Sequence, residues 1–393
     1  MAYESRALRD GKRLLKMNFI PYGKQSIDQS DIDAVIETLQ SDFLTTGPKV
    51  KEFEDAITEY CGAKYCVAVS NGTAALHLAS LVLLNKNDKV LTTPNSFLAT
   101  SNAILYIGAK PIFIDIAVDG NIDLDLCEQE LQKDSSIKAI YVVSFSGNMV
   151  NQDKLHYLKT KYNITILEDN AHAIGAMYNG VKAGSCENSD CSIFSFHPVK
   201  HLTTAEGGAI TTNSKKMYNK LLTLRTHGMV KTEDMKPWEY EMQELGFNYR
   251  LTDIQCALGL SQIKKLDTFI KKRIQIAKKY DKYFKGSIVT PLYTYQGKSS
   301  YHLYVVRVDF TTLNIDKVLL FNELRERNIG IQLHYIPINK QPYYKNLGYG
   351  NENTPIMDKY YEECFSLPMY PLLSDKEQQY VVTSLFEILN DKN

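Results

Sequence analysis

Apolar residues along this chain fall into two alternating rhythms. Short runs rich in β-branched and aromatic residues read as buried strands: YCVAV at 65–69, KVLTT at 89–93, PIFID at 111–115, AIYVVSF at 139–145 and ITILED at 164–169. Between them lie stretches of helical periodicity, such as TAALHLASLVLL at 73–84 and NQDKLHYLKTKY at 151–162. The alternation predicts an α/β fold on a mostly parallel sheet, in which ligands bind beyond the carboxyl ends of the strands. A first helix is expected from residue 30, capped by Ser30 or Asp31, with Ile32, Val35, Ile36 and Leu39 on one face.

After GAITT at 208–212 the rhythm changes. Residues 251–284 read as one or two long helices, followed by YHLYVVRVD at 301–309, a helix near 316–327, the strand-like IQLHYIP at 331–337 and a terminal helix from Asp375. The organisation expected is an N-terminal extension over 1–17, a large domain over 18–250, and a long helix with a smaller α+β domain over 251–393. Lys plus Arg and Asp plus Glu number 45 each, so no overall field favours a nucleic-acid partner. Seven scattered cysteines, none spaced C-x-x-C, argue against a disulfide framework and a zinc ribbon and fit a cytoplasmic protein. The charged start MAYESRALRDGKRLLKM has no apolar core of a secretory signal, and no run of 18 apolar residues follows, so neither export nor a membrane span is expected.

Candidate chemistry gathers where strands end. In SNGTAAL at 70–76 a helix opens directly after a strand, leaving backbone N–H groups of Gly72, Thr73 and Ala74 free for an anion, or simply forming an N-cap. The Lys of a P-loop is absent there. In EDNAHAIGA at 168–176, Asp169 is either a helix cap or a buried carboxylate facing a protonated nitrogen, with His172 one helical turn on. Lys200, in SIFSFHPVKHLTTAEGGAITT at 192–212, is held between two strands; the imidazoles of His197 and His201 and desolvation would lower its pKa, and Ser195 offers a hydroxyl to a phosphate. Phe97 in TPNSFLATSNA could stack on a planar ring or belong to the core, and GFNYRLTD at 246–253 sets Asn248, Tyr249 and Arg250 before a helix.

In their order and spacing, SNGTAAL, NSFLATSNA, EDNAHAIGA and SFHPVKHLTTAEGGAI resemble the DegT-type sugar aminotransferases of the fold-type-I pyridoxal-phosphate superfamily, from about residue 19 to near the C-terminus. The resemblance implies pyridoxal 5'-phosphate as cofactor, held as a Schiff base on Lys200. Asp169 would pair with the pyridine nitrogen, Phe97 would stack on the ring and His172 would lie beside it. Gly72, Thr73, Ser195 and Asn248, the last from a second subunit, would hold the phosphate of a homodimer with shared active sites. The opening FIPYGKQSIDQSDIDAVIETLQSDFLTTGP and the FSFHPVKHLTTAEGG block are most similar to the branch serving pseudaminic-acid synthesis. That implies transfer of an amino group from L-glutamate to C4 of a UDP-linked 4-keto-6-deoxy-N-acetyl-L-hexosamine, without a metal. Arg225, His227, Arg250, His334 and Tyr335 are candidates for contacting donor or sugar nucleotide, or equally for a structural ion pair or a place in the core. Alternatives are an aminotransferase for a bacillosamine-type or perosamine-type sugar, a pyridoxamine-dependent dehydratase, which would carry His in place of Lys200, and a non-catalytic binding protein on the same fold. Ala205 departs from the Gly that many relatives place before the Glu-Gly-Gly step.

Overall fold

The computed structural model describes residues 17–293 and 298–390; of the extension expected over 1–17, all but Met17 lies outside the described residues. The strands expected from the apolar runs form β1 (Tyr65–Val69), β2 (Lys89–Thr92), β3 (Lys110–Phe113), β4 (Ile137–Val143) and β5 (Thr165–Asp169), joined by β6 (Cys191–Ser195) and β7 (Gly208–Thr212). They make one seven-stranded sheet in the order β1-β7-β6-β5-β4-β2-β3. Every pairing from β3 across to β6 is parallel, while β7 runs antiparallel to both β6 and β1. The expected mostly parallel α/β architecture is therefore present, with one reversed strand.

That reversal follows from how the connection folds. A parallel strand after β6 would need a crossover that carries the chain back to the opposite end of the sheet, whereas residues 196–207 are pinned as a loop at one rim. The amide of Phe196 donates to the Gly207 carbonyl at 2.8 Å, and the Thr204 amide donates to the Phe196 carbonyl at 3.0 Å. The chain returns at the rim it left, so Gly208 faces Ser195 on one side and Val69 on the other. Both faces of the sheet are covered. Val67, Val69, Tyr141, Leu167 and Ile193 pack with the helices α3 (Gly72–Leu83) and α4 (Leu98–Tyr106), and Ile140, Val142 and Ile166 pack with other helices on the opposite side. Such two-sided burial is why these strands read as continuous apolar runs.

Elsewhere the fold departs from the sequence expectations in specific ways. The first helix, Gln29–Leu39, is capped by Asp28 rather than Ser30 or Asp31: its carboxylate accepts the Ser30 amide at 3.0 Å, while the Asp31 carboxylate reaches back to the Asp28 amide at 3.0 Å. Its apolar stripe faces outward, with Ile32 and Ile36 each 45% and Leu39 53% exposed. IQLHYIP is not a strand. Among the described residues only Gln332 of this segment bridges a neighbour, Ser366, and side chains take two other backbone groups: the Tyr360 hydroxyl donates to the His334 carbonyl at 2.8 Å, and the Gln332 side chain accepts the Leu333 amide at 2.9 Å.

The long helical region resolves into α5 (Asp253–Ile263) and α6 (Leu266–Phe284). The early part of α6, with Leu266 and Ile270, packs beneath the large sheet. Its later part, with Ile276, Ala277, Tyr280 and Phe284, belongs to a second core built around β8 (Tyr304–Arg307) and the terminal helix Asp375–Asn390. Ile20, fully buried, packs in that second core as well. α6 thus contributes side chains to both cores, and Ile20 packs in the later one.

A side chain at Gly208 would meet backbone: a Cβ there would lie 2.6 Å from the carbonyl carbon and oxygen of Asn71. Gly208→Ala is expected to destabilise the protein by about 1–3 kcal/mol through this overpacking, lowering the thermal midpoint measured by circular dichroism; an unchanged midpoint would show that the rim can yield.

Candidate active site

Five strand ends, those of β1, β2, β4, β5 and β6, converge on one cavity of about 1070 Å³. Its walls include Gly72, Thr73, Phe97, Thr100, Asp169, His172, Ser195, Lys200, His302, His334 and Tyr335. Asp169 pairs with Ile193 in the β5/β6 register, so Ser195 projects two residues further along the same rim.

Asp169 is the last residue of β5 and is buried. One carboxylate oxygen accepts the Thr100 hydroxyl at 2.6 Å and the other accepts the Ala171 amide at 3.1 Å. Thr100 is in turn hydrogen-bonded to Ser96 at 2.8 Å. Burial raises the Asp169 pKa, and these two donors together with the charge of Lys200 work against that rise. The helix expected after Asp169 does not form. The chain makes turns, the Ala173 amide donating to Asn170 and Ala176 to Ala173, and these deliver His172 into the cavity.

Lys200 sits in the 196–207 loop, its amide donating to the His197 carbonyl at 2.8 Å. Its side chain borders the open cavity, but the amine is enclosed, and burial pushes its pKa down to about 8 against the opposing pull of Asp169. The second depressing influence is the buried guanidinium of Arg273, not the flanking imidazoles expected from the sequence. His197 is exposed, and His201 is buried against the Ser300 carbonyl at 3.0 Å. Ala205, at the far end of the loop, has φ of 66°, the left-handed region in which the Gly of relatives would sit without strain.

The anion cradle is the first turn of α3. The Asn71 side chain accepts the Ala74 amide at 2.8 Å and thereby caps that helix. Gly72 and Thr73 border the cavity with the dipole's positive end behind them. A Cβ on Gly72 would lie 3.0 Å from Cβ of Ser195, so the glycine lets this turn approach the β6 end closely. Phe97, 59% exposed at the start of α4, offers a bare ring face to the cavity. Burial holds His172 neutral, and its Nε2 lies 3.1 Å from the Tyr335 hydroxyl, while its Nδ1 has no hydrogen-bond partner among the described residues.

These parts fit a flat, phosphorylated heteroaromatic aldehyde. They present a deprotonatable amine, a buried carboxylate met only by neutral donors, an aromatic face and a helix N-terminus. Of the residues singled out for donor or sugar, His334 and Tyr335 line the cavity. Arg225 does not: its guanidinium is bound to Glu54 at 2.6 Å and to the Ala68 carbonyl at 2.8 Å, a structural ion pair under β1. His227 and Asn248 are exposed, and neither they nor Arg250 border the cavity of their own chain.

Sequence reasoning missed Thr100, His302 and Arg273. Arg273 left a signal, since it falls on the apolar face of α6 in step with Ile270, Ile276, Ala277 and Tyr280. Thr100 and His302 left none, because their partners are distant in the chain.

The enclosed amine has a thermodynamic consequence. Between about pH 8 and the ordinary lysine value of 10.5, the folded state binds fewer protons at Lys200 than the unfolded chain, so its contribution to stability rises with pH across that window and is least favourable below it. Lys200→Met is therefore expected to raise the thermal midpoint of cofactor-free protein at pH 7 and to lose that advantage towards pH 10; no gain at pH 7 would contradict the depressed pKa.

Residues 25–386 match the DegT/DnrJ/EryC1/StrS aminotransferase family. A relative from Campylobacter jejuni subsp. jejuni serotype O:23/36 (strain 81-176), UDP-4-amino-4,6-dideoxy-N-acetyl-beta-L-altrosamine transaminase, is 45% identical over 374 residues, 94% of this chain and 97% of that protein. The solved structure of Helicobacter pylori PseC, an aminotransferase involved in the biosynthesis of pseudoaminic acid, superposes with a TM-score of 0.89 at 33% identity, covering 95% of this chain and 100% of that one. Spr1654 from Streptococcus pneumoniae in its PLP form gives a TM-score of 0.87 at 32% identity, with 95% and 100% covered. The chain belongs to the DegT/DnrJ/EryC1/StrS aminotransferase family, whose cofactor is pyridoxal phosphate.

Proposed function

We propose that this chain transfers the amino group of L-glutamate to C4 of a UDP-linked 4-keto-6-deoxy-N-acetyl-L-hexosamine, a step of pseudaminic-acid synthesis. The observation that carries the reading is the enclosed Lys200 amine facing the same cavity as Asp169, in a chain whose relatives include a transaminase named for the 4-amino sugar that such a transfer would yield. Pyridoxal phosphate, when bound, supplies the electron-withdrawing ring that allows an amino group to pass between two carbonyl carbons.

The protein's own residues divide the remaining work. Lys200 anchors the cofactor through Nζ and, once freed, accepts and returns a proton there; a pKa near 8 suits both directions close to neutral pH. Asp169, backed by Thr100 and Ser96, holds a proton on the ring nitrogen opposite. Gly72, Thr73 and Ser195 bind the phosphate, Phe97 covers the ring and His172 flanks it. His334, whose burial holds it neutral with a pKa of about 3, suits uncharged sugar hydroxyls beside Tyr335.

Lys200 is the sole Lys or Arg bordering the cavity among the described residues, yet a dicarboxylate donor and a nucleotide diphosphate each bring two or more negative charges. A second subunit would supply the missing donors, with His227, Asn248 and Arg250 as the reaching residues. The uncovered stripe of Ile32, Ile36 and Leu39, together with Phe43 at 52% and Leu44 at 45% exposure, supports association with a second copy. Localisation in the cytoplasm accords with the seven free cysteines; no helix among the described residues is long and apolar enough to cross a membrane.

Purified protein reconstituted with pyridoxal phosphate should be yellow and trap the cofactor with borohydride. Lys200→Ala should abolish the trapped adduct and the glutamate-dependent amination of the 4-keto sugar. A wild type that takes up no pyridoxal phosphate would overturn the reading, and amination confined to the C5 epimer would redirect it to a bacillosamine-type or perosamine-type sugar. Shared sites predict complementation as well. Mixing Lys200→Ala chains with inactive Asn248→Asp chains should restore about a quarter of wild-type activity, from the one intact site in each mixed dimer; no recovery despite confirmed mixed dimers would place Asn248 in its own chain's site.

A further inference from the structure

His302 borders the cavity beside Lys200, and the scheme above gives it no role. It is 4% exposed and lies just before β8. Its Nε2 is 3.4 Å from Nζ of Lys200, and its ring centroid is 4.2 Å from that of His172 and 5.6 Å from that of His201. Its backbone is fixed from behind: Nη1 of Arg273 donates to the carbonyls of Tyr301 at 3.2 Å, His302 at 3.1 Å and Met369 at 2.9 Å. Burial, and then the neighbouring Lys200, His172, His201 and Arg273, keep the His302 imidazole neutral.

A neutral imidazole facing an ammonium has one way to bond to it, by accepting. That contact assigns the ring proton to Nδ1, which has no hydrogen-bond partner among the described residues. The other groups around the Lys200 amine act at longer range. Asp169 favours its charge and Arg273 opposes it, while burial keeps His172, His201 and His334 neutral and the Tyr335 phenol protonated. We propose that His302 is a positioning residue for Lys200, accepting a hydrogen bond from its ammonium and fixing where the free amine rests in the cavity. The consequence for amino transfer rests on Lys200 being the cofactor lysine; the contact itself does not.

The test reads Lys200 directly in cofactor-free protein, by competitive acetylation across pH with mass-spectrometric detection. A hydrogen bond to the charged form raises its pKa, so His302→Phe and His302→Asn, which lack an acceptor in reach, should each lower the Lys200 titration by about one pH unit. His302→Gln, whose amide oxygen can take the place of Nε2, should stay within about 0.3 unit of wild type. At a pH where the amine is neutral in every variant, borohydride trapping of added pyridoxal phosphate should be about tenfold or more slower in His302→Phe and within about threefold of wild type in His302→Gln. Identical Lys200 titrations in all variants would overturn the proposal, as would a glutamine variant that behaves like phenylalanine. Should His302→Phe not fold, the Gln and Asn pair carries the same comparison. A wild type that traps no cofactor would count against the proposed function while leaving the titration arm intact.

Discussion

The site depends on holding an amine and a carboxylate out of water in one cavity. Burial pushes the Lys200 pKa down and the Asp169 pKa up, so each group alone would relax towards its neutral form. Their mutual attraction restrains both shifts without bringing them into a closed ion pair. Asp169 is instead met by a hydroxyl and an amide, and Lys200 by a neutral imidazole. A closed pair would tie up both groups; this arrangement leaves the carboxylate able to take a cationic ring nitrogen and the amine able to lose its proton near neutrality.

The sheet makes that spacing possible. Parallel strands β4 and β5 bring Val143 and Asp169 to one rim, and the single reversed strand β7 closes the loop bearing Lys200 back on that rim. Two glycines set the tolerances. Gly72 allows the α3 turn to touch the end of β6, and Gly208 allows β7 to start beneath Asn71. The anion-binding turn and the lysine loop are therefore seated against each other by backbone packing, and a change in either glycine is felt by both.

How much of this was legible in the sequence varied with the range of the interaction involved. Five strand runs and the helix of SNGTAAL were readable because two-sided burial writes a continuous apolar signal. Lys200, Asp169, Ser195 and Gly72 were readable because each lies at the end of such a run, where the chain must turn at the common rim. IQLHYIP misled because its alternation is that of a strand, while its backbone groups are taken by Tyr360 and Gln332 side chains that no local pattern announces. Arg225 was legible only as an alternative, a substrate contact or a structural ion pair, and only the fold shows Glu54 beneath it. Thr100 and His302 act on residues 69 and 102 positions away in the chain, a separation that periodicity does not encode.

Arg273 shows why the two cores cannot be treated as separable parts. It lies on α6 between Ile270, in the core beneath the large sheet, and Ile276, in the second core. No carboxylate among the described residues pairs with it, and its charge is met by three backbone carbonyls, from residues 301, 302 and 369, which the second core contributes. All three bonds come from Nη1, and a methionine in its place would leave those carbonyls without that donor in a buried place. The same guanidinium depresses the pKa of Lys200 and anchors the backbone of His302. Docking of the second core and one of the influences on the amine thus share a side chain, so the later part of the chain adds to a depression of the Lys200 pKa that burial dominates.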